Sequence, residues 1–424
     1  MPLLFRALAP GMAVVMAATA HAQTSEPAPT AATDLILYGD VRLVAANGEQ
    51  GWLDGGFGKG RIGNSNTDGG LRVRPYLAEA GLVYQPHFTW SLGGTIAVIA
   101  QNGQEQPFGL SEAFLTYRPL PVGDTRLSVR AGLMWPALSL EHSGPEWAVT
   151  NTITPSAINS WIGEEVKVTG LELNATRMFG AHRITLTAAV FGGDDTAGTL
   201  LTFRGWALHD VKATAFSHLP LPPMNAFMRN AQAPTTRSVI ELDGTPGFYT
   251  KVSWAPPGPF EVQYFHYDNM ADPQKVNATR QWGWRTRFDH IGAILDLGER
   301  TRLIGQALTG TTVMGFPRNG PERWVDMRYR SAFVMATRKI DAIAVSARIE
   351  AFDTRNHGSV VLPFDDETGW SADAAVRWPL ASFATLLGEA LYIDSRRDSR
   401  ARVGEDARQH QTILQLSLHL RAAR

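Results

Sequence analysis

The side chains in this sequence that could carry chemistry are arginines and carboxylates, and several stand two residues apart. Asp40 precedes Arg42, Arg126 precedes Arg130 with Ser128 between them, Arg285 precedes Arg287, and Arg348 precedes Glu350. A repeat of two is one face of a β-strand. The 424 residues carry 39 basic and 40 acidic groups for a net charge of −1, and only six of the basic groups are Lys. This balance gives no case for a nucleic-acid partner. Arg keeps its charge at any relevant pH and forks onto carboxylates and phosphates. Cysteine is absent, so neither disulfides nor thiolate metal sites contribute. Gly58, Gly60 and Gly63 satisfy the dinucleotide-binding spacing, yet NSNTDGG follows where a helix would have to begin. Asp194-Asp195 and Asp365-Asp366-Glu367 lack a completed ligand set and read as solvated loops. No nucleophile elbow, zinc-protease helix or phosphate-binding loop is present, so no cofactor, metal or catalytic residue is expected.

The elements that would hold these charges are strands. In residues 35 to 45 the odd positions are Leu35, Leu37, Gly39, Val41, Leu43 and Ala45, with Asp40 and Arg42 between them. The pattern recurs at Leu127, Val129, Ala131 and Leu133, at Ile343, Val345, Ala347 and Ile349, and at Thr412, Leu414, Leu416 and Leu418. Sixteen strands are expected, near 35–46, 71–84, 90–101, 110–118, 126–136, 166–179, 182–191, 247–255, 260–267, 281–289, 301–310, 328–338, 341–353, 369–379, 383–394 and 410–421. Short connections alternate with long ones near 47–70, 137–165, 192–246 and 395–409. Short on one side and long on the other is the signature of an outer-membrane barrel. Tyr84, Trp90, Phe179, Trp254, Phe260, Phe288, Trp378 and Phe383 stand beside the short turns as an interfacial girdle. The stretch 199–208 is strand-like, but a seventeenth strand would break the alternation, so it is expected as extended structure in a long external loop at 192–246.

The N-terminus agrees on the compartment. Arg6, an apolar run over 7–18 and Ala20-His21-Ala22 form a signal peptide over 1–22, followed by a flexible leader over 23–34. The expectation is an all-β, transmembrane antiparallel barrel over 35–424 in the cell outer membrane, exported through the periplasm. A leader of a dozen residues is too short for the plug of an active transporter.

In such a barrel the charged phase faces the lumen. The lumenal basic candidates are Arg42, Arg126, Arg130, Arg285, Arg287, Arg330, Arg348 and Arg377; the acidic ones are Asp40, Glu79, Glu112, Glu172, Glu261, Glu350 and Asp373. Opposed rings of charge orient polar solutes and tune ion preference. Alternatively they pair across strands to stiffen the wall, as Glu112 and Arg130 would. The segment 137–165 brings Glu141, His142, Glu146, Trp147, Trp161, Glu164 and Glu165. Folded inward it makes a charged eyelet; laid over the mouth it packs its Trp residues instead. Arg72 and Arg74 share the even phase of Tyr76, Ala78, Ala80 and Leu82, which would put them on the lipid face. Either Pro75 marks a phase-resetting bulge, or these arginines sit at the rim to meet lipopolysaccharide phosphates.

Three stretches, EAFLTYRP at 112–119, RAGLMWPALSLE at 130–141 and RIEAFD at 348–353, resemble the phosphate-selective porin (O/P-type) family. RGWALHD at 204–210 and HYDNMADP at 266–273 resemble a porin-like subgroup of it. The resemblance implies a sixteen-stranded homotrimer whose third long loop narrows the pore. The sequence departs from that family in having few Lys and in ending LSLHLRAAR without a terminal aromatic. The expected function is therefore passive diffusion of small hydrophilic solutes or ions, general or weakly anion-selective, with outer-membrane lipids and lipopolysaccharide as surroundings. The alternatives are a lipid-acting enzyme barrel, for which Ser217 and His218 are the only hint, and a structural or adhesive barrel with a sealed lumen.

Overall fold

A computed structural model describes residues 35–64, 70–317, 323–358 and 366–424; the signal-peptide and leader expectations lie outside these residues. Sixteen strands form one closed antiparallel barrel: β1 (Leu35–Ala46), β2 (Arg72–Tyr84), β3 (Leu92–Gln101), β4 (Phe108–Tyr117), β5 (Thr125–Met134), β6 (Val168–Phe179), β7 (His182–Gly192), β8 (Gly247–Ala255), β9 (Phe260–Asp268), β10 (Arg285–Leu297), β11 (Thr301–Met314), β12 (Val325–Ile340), β13 (Ile343–Asn356), β14 (Glu367–Ala381), β15 (Ala384–Arg397) and β16 (Arg408–Ala423). Each strand pairs with its sequence neighbours, and β1 pairs with β16 to close the ring. Closure leaves no open edge, which is what a sheet needs in hydrocarbon. The connections at one end hold two to seven residues, and those at the other hold six to fifty-four.

All sixteen expected strands are present, and 35–46 and 247–255 agree to the residue. The largest difference is β10, expected at 281–289 and found at Arg285–Leu297. Within its lower half the run IGAIL at 291–295 is apolar on both faces, which hides the period-two signal.

The outer face is hydrocarbon. Leu37, Val41, Leu43, Leu77, Ile96, Val98, Leu115, Leu171, Leu186, Ile291, Val334, Ile349 and Leu416 are all exposed large apolar side chains at outward positions. A water-facing sheet would not display such a contiguous apolar belt. Tyr84, Trp90, Phe179, Trp254, Trp378 and Phe383 are exposed at the short-turn end, as a girdle requires. Phe288 does not belong to it: its side chain points inward and is buried.

Two bulges re-aim the wall. Asp40 pairs with Glu79 while Val41 pairs with Leu77, so Ala78 is the extra residue. Upward of it Tyr76, Arg74 and Arg72 stand opposite the inward positions Arg42, Val44 and Ala46. The phase reset expected at Pro75 thus occurs three residues later. It turns Arg72 and Arg74 toward the mouth of the lumen, where Arg74 reaches the Gly63 carbonyl. Ser111 is the second extra residue, between the pairs Ala97 with Glu112 and Val98 with Leu110.

The interior has two halves of different character. The inward rows of β7 to β13 carry a belt of large aromatics, Phe191, Tyr249, Phe265, Tyr267, Phe288, Tyr329, Phe333 and Phe352, among polar residues such as Arg183, Glu261, Arg348 and Glu350. Those of β1, β2 and β14 to β16 are mostly polar or charged, including Asp40, Arg42, Glu79, Asp373, Arg377, Glu389, Gln415 and Ser417. Two segments from the long-loop end occupy the apolar half. One is residues 135–167 with helix α1 (Ala157–Glu165), the other the first part of 193–246 with helix α2 (Thr199–Arg204).

Candidate functional site: the lumen

The inward course of residues 135–167 follows from four carboxylates and one arginine. Ser156 caps α1 by accepting from the Asn159 amide, and the wall residue Glu350 accepts from the Ala157 amide at 2.7 Å. Negative charge at a helix N-terminus satisfies free N–H groups and the helix dipole together. Glu389 of β15 accepts from the amides of Ile153 at 2.6 Å and Thr154 at 2.8 Å. Glu141 accepts from the Ser156 hydroxyl at 2.5 Å. Arg348 donates to Glu141 at 3.0 Å, to the Thr154 carbonyl at 2.9 Å and to the Pro155 carbonyl at 3.2 Å, with Asp373 at 3.1 Å. All of these groups are buried. Arg348, Glu350, Asp373 and Glu141 therefore clamp the loop to the wall instead of standing free in a water path.

A second knot joins the two inserted segments. Glu164 receives the Arg204 guanidinium at 2.9 Å and lies 2.7 Å from His209 Nε2. Burial alone would raise the Glu164 carboxyl, but Arg204 and His209 outweigh it and hold it at about 2. Glu165 accepts from the Leu200 and Leu201 amides at the start of α2, at 2.7 and 3.1 Å, and from Trp161 Nε1 at 2.9 Å. Burial and the neighbouring Glu164 charge push its carboxyl up to about 7. Around this knot Trp161 packs on Phe288 and Tyr329 with ring centroids 5.3 and 5.2 Å apart, and Trp206 Nε1 donates to the Asp353 carbonyl at 3.0 Å. Burying aromatic area of this kind contributes the largest share of side-chain stabilisation.

This arrangement corrects the expectation of extended structure at 199–208 in an external loop. Residues 194–209 are buried inside the barrel, and 199–204 is helical. With no free wall strand to pair with, the backbone there satisfies its hydrogen bonds within a helix turn. The helix ends dock on inward wall residues: Arg397 donates to the Phe203 carbonyl at 3.0 Å, and Glu367 accepts from the Trp206 amide at 2.9 Å.

The charged half is hollow. A cavity of about 390 Å³ is lined by Tyr38, Asp40, Arg42, Glu79, Glu146, Asp210, Lys212, Arg377, His419 and Arg421, and reaches the short turn at Ser382 and Phe383. Asp210 sits at its top, bridging Arg42 of β1 at 2.5 Å and Arg61 at 2.8 Å. Burial opposes ionisation of Asp210, but the two guanidiniums pull its carboxyl far below the usual range. Arg61 continues to the Tyr76 hydroxyl at 3.0 Å and to the Asn102 carbonyl at 3.1 Å, toward the long-loop end. Lys212 meets Glu79 at 2.7 Å, and Glu146 meets Arg421 at 2.5 Å. A second polar stretch lies along β5 to β9. There Arg130 forks onto Glu172 at 2.8 and 2.9 Å, Arg183 meets Glu261 at 3.0 Å, and Arg126 stands in the inward row opposite Thr176. Glu112 accepts from the Trp135 amide, not from Arg130.

Three expected lumenal arginines lie elsewhere. Arg285, Arg287 and Arg330 point outward, because Thr286, Phe288 and His290 on β10, and Tyr329 and Ser331 on β12, are the buried inward residues. The charged phase was the wrong guide there: the inserted segments need an apolar wall, so aromatics took the lumen side. Asp210, Arg61, Arg204 and His209 are the reverse case, charges central to the lumen that no strand period reveals. Their one signal was the RGWALHD stretch, which holds three of the four.

No family model matches the chain, and no curated protein matches it in sequence. Solved structures do match in shape. The outer membrane channel DcaP of Acinetobacter baumannii superposes with a TM-score of 0.55 at 13% identity, covering 92% of this chain and 97% of that one. An anion-selective porin from Comamonas acidovorans gives 0.52 at 9% identity, covering 92% and 99%. The fold is that of the outer-membrane porins. The mixed-charge lumen, the inserted third long loop and the sorted connections are the features to weigh against such a channel.

Proposed function

We propose that the chain is an outer-membrane porin through which small hydrophilic solutes and ions diffuse passively, along the charged half of the lumen beside β1, β2, β14 and β16. The observation that carries this is a barrel with a hydrocarbon outer wall enclosing an ion-lined cavity of about 390 Å³. The Arg42, Asp210 and Arg61 bridge is the eyelet of this route. Residues 137–165 and the inserted part of 193–246 narrow the barrel from a wide tube to this one-sided path. The ionised side chains along the route, Arg42, Arg61, Lys212, Arg377 and Arg421 against Asp40, Glu79, Glu146 and Asp210, come to five cations and four anions, which favours weak anion selectivity, the preference for which the Comamonas porin is named. The sequence resemblance supports placement near the phosphate-selective (O/P-type) porins, assembly as a homotrimer, and export with cleavage after residue 22. Scarce lysine argues against a dedicated phosphate channel.

The test is reconstitution in a planar bilayer, with conductance, reversal potential in a salt gradient, and block by phosphate and dicarboxylates. Anion preference is expected; cation preference refutes the selectivity. The interlocked helices favour one second reading, a barrel sealed at rest, and absence of conductance at any voltage would decide for it.

A further inference from the structure

The outward-facing arginines form a pattern of their own on the lipid side of the wall. Register partners run straight across the sheet from Asp268 on β9 to Arg287 on β10, Thr311 on β11, Arg328 on β12 and Arg355 on β13. The adjacent outward row is His266, Asp289, Thr309, Arg330 and Asp353. The second row neutralises itself: Arg330 meets Asp353 at 2.6 Å and His266 meets Asp289 at 2.8 Å. The first does not. Arg328 faces Arg355 directly across the ladder, and Arg355 is matched by Asp366 at 3.0 Å while Arg328 has no such partner. Arg328 is exposed and makes no ion pair among the described residues, and the Arg287 Nε donates to the Thr311 hydroxyl at 3.1 Å.

Height decides what this row meets. Arg328 lies twelve residues above Ile340 at the short-turn end of β12, roughly 30 Å for a strand tilted about 40°. That is just beyond an apolar band about 25 Å tall, at the headgroups of the outer leaflet, since the long loops face the exterior. Below the row Ala307, Ala332 and Ala351 are register partners, a smooth strip on which acyl chains can lie flat.

We propose that Arg287, Thr311 and Arg328 form a binding site for the phosphates of lipopolysaccharide, the phosphorylated glycolipid of the outer leaflet. Guanidiniums bind phosphate oxygens in pairs, hydroxyls add a donor, and a bound dianion supplies the counter-charge that Arg328 lacks. This surface lies on the opposite side of the wall from the proposed solute route, so loss of lipid binding and loss of conductance are separate results.

The full chain in detergent is tested for binding of purified lipopolysaccharide and of the same preparation dephosphorylated. The parent protein binds the phosphorylated form at least about tenfold more tightly, as expected for lost charged hydrogen bonds. The R287Q/R328Q double variant, checked for folding by heat-modifiable gel mobility, binds both forms at the weaker level with unchanged conductance. Equal affinity of the parent for both forms overturns the proposal without need of a variant. So does unchanged binding in the variant. Displacement by inorganic phosphate at matching concentration also overturns it, in favour of a free-anion site. A change of oligomeric mass in the variant, with lipid binding intact, makes the rows a protein interface instead.

Discussion

Asp210→Asn removes one lumenal charge while keeping the side-chain size and one of its two acceptor oxygens. Asp210 stands at the top of the ion-lined cavity between Arg42 and Arg61, and both guanidiniums keep it ionised at every physiological pH. Substitution leaves Asp40 as the one anion beside Arg42 and Arg61. For an ion passing about 5 Å away in a hydrated lumen of effective dielectric about 80, one unit charge is worth about 0.8 kcal/mol, roughly a factor of four in partition. Cation entry falls and anion entry rises by that factor, so the anion-to-cation permeability ratio grows roughly sixteenfold. Single-channel recording in a tenfold KCl gradient reads this directly as a reversal potential moved toward the chloride limit. Asp289→Asn removes an equal charge from the outer wall and leaves the reversal potential unmoved. An unchanged reversal potential in D210N, with unchanged conductance, would place the solute route elsewhere in the lumen.

Other perturbations address the inserted helices and the wall. Glu164→Gln strands Arg204 in a buried site and costs about 3–5 kcal/mol of loop docking, seen as frequent transitions to a larger conductance. Trp161→Ala opens a void among Phe288, Tyr329 and Trp206, with a loss of about 3–5 kcal/mol visible as a lower unfolding temperature. Because Glu165 is raised to about 7, its contribution to docking is complete below the ordinary carboxylate range and is lost as pH rises through 7. Open probability should therefore increase between pH 5 and pH 8, and E165Q should abolish that dependence. Arg377→Gln at the cavity shifts selectivity toward cations, whereas Arg330→Gln on the outer wall does not; equal effects would refute the assignment of faces.

The barrel was legible because hydrocarbon imposes a strict period of two, and every strand with a polar inward face shows it. Thr412 to Leu418 of β16 and Leu35 to Ala45 of β1 announce both their existence and their phase. β10 and β12 announce existence only. Phe288 and Tyr329 face a packed interior while Arg287 and Arg330 face outward, and no local rule says which side is wet when both sides have a reason to be apolar. The acidic groups of 137–165 were recognised, yet their partners were not. Glu164 meets Arg204 forty residues on, Glu141 meets Arg348 across the lumen, and Glu389 reaches back to Thr154. Such pairings are set by how two loops share one enclosed volume, a tertiary matter without periodicity. Asp210 shows the same limit: the RGWALHD stretch marks the segment but not its partners, and its role comes from Arg42 and Arg61.

The wall around β10 to β12, apolar toward lipid below its charged rim and aromatic toward the lumen, also bears on the time before the barrel exists. While the chain crosses an aqueous compartment, β1 or β16 can hide one greasy face and show a wet one, but residues 291–295 of β10 have no side fit for water. These central strands are where an escorting chaperone must bind most persistently and where premature self-association would begin. Their shielding arrives from two directions, lipid outside and α1 with α2 inside. Insertion and loop docking are thus bound to proceed together, since either alone leaves half of that wall exposed to the wrong solvent.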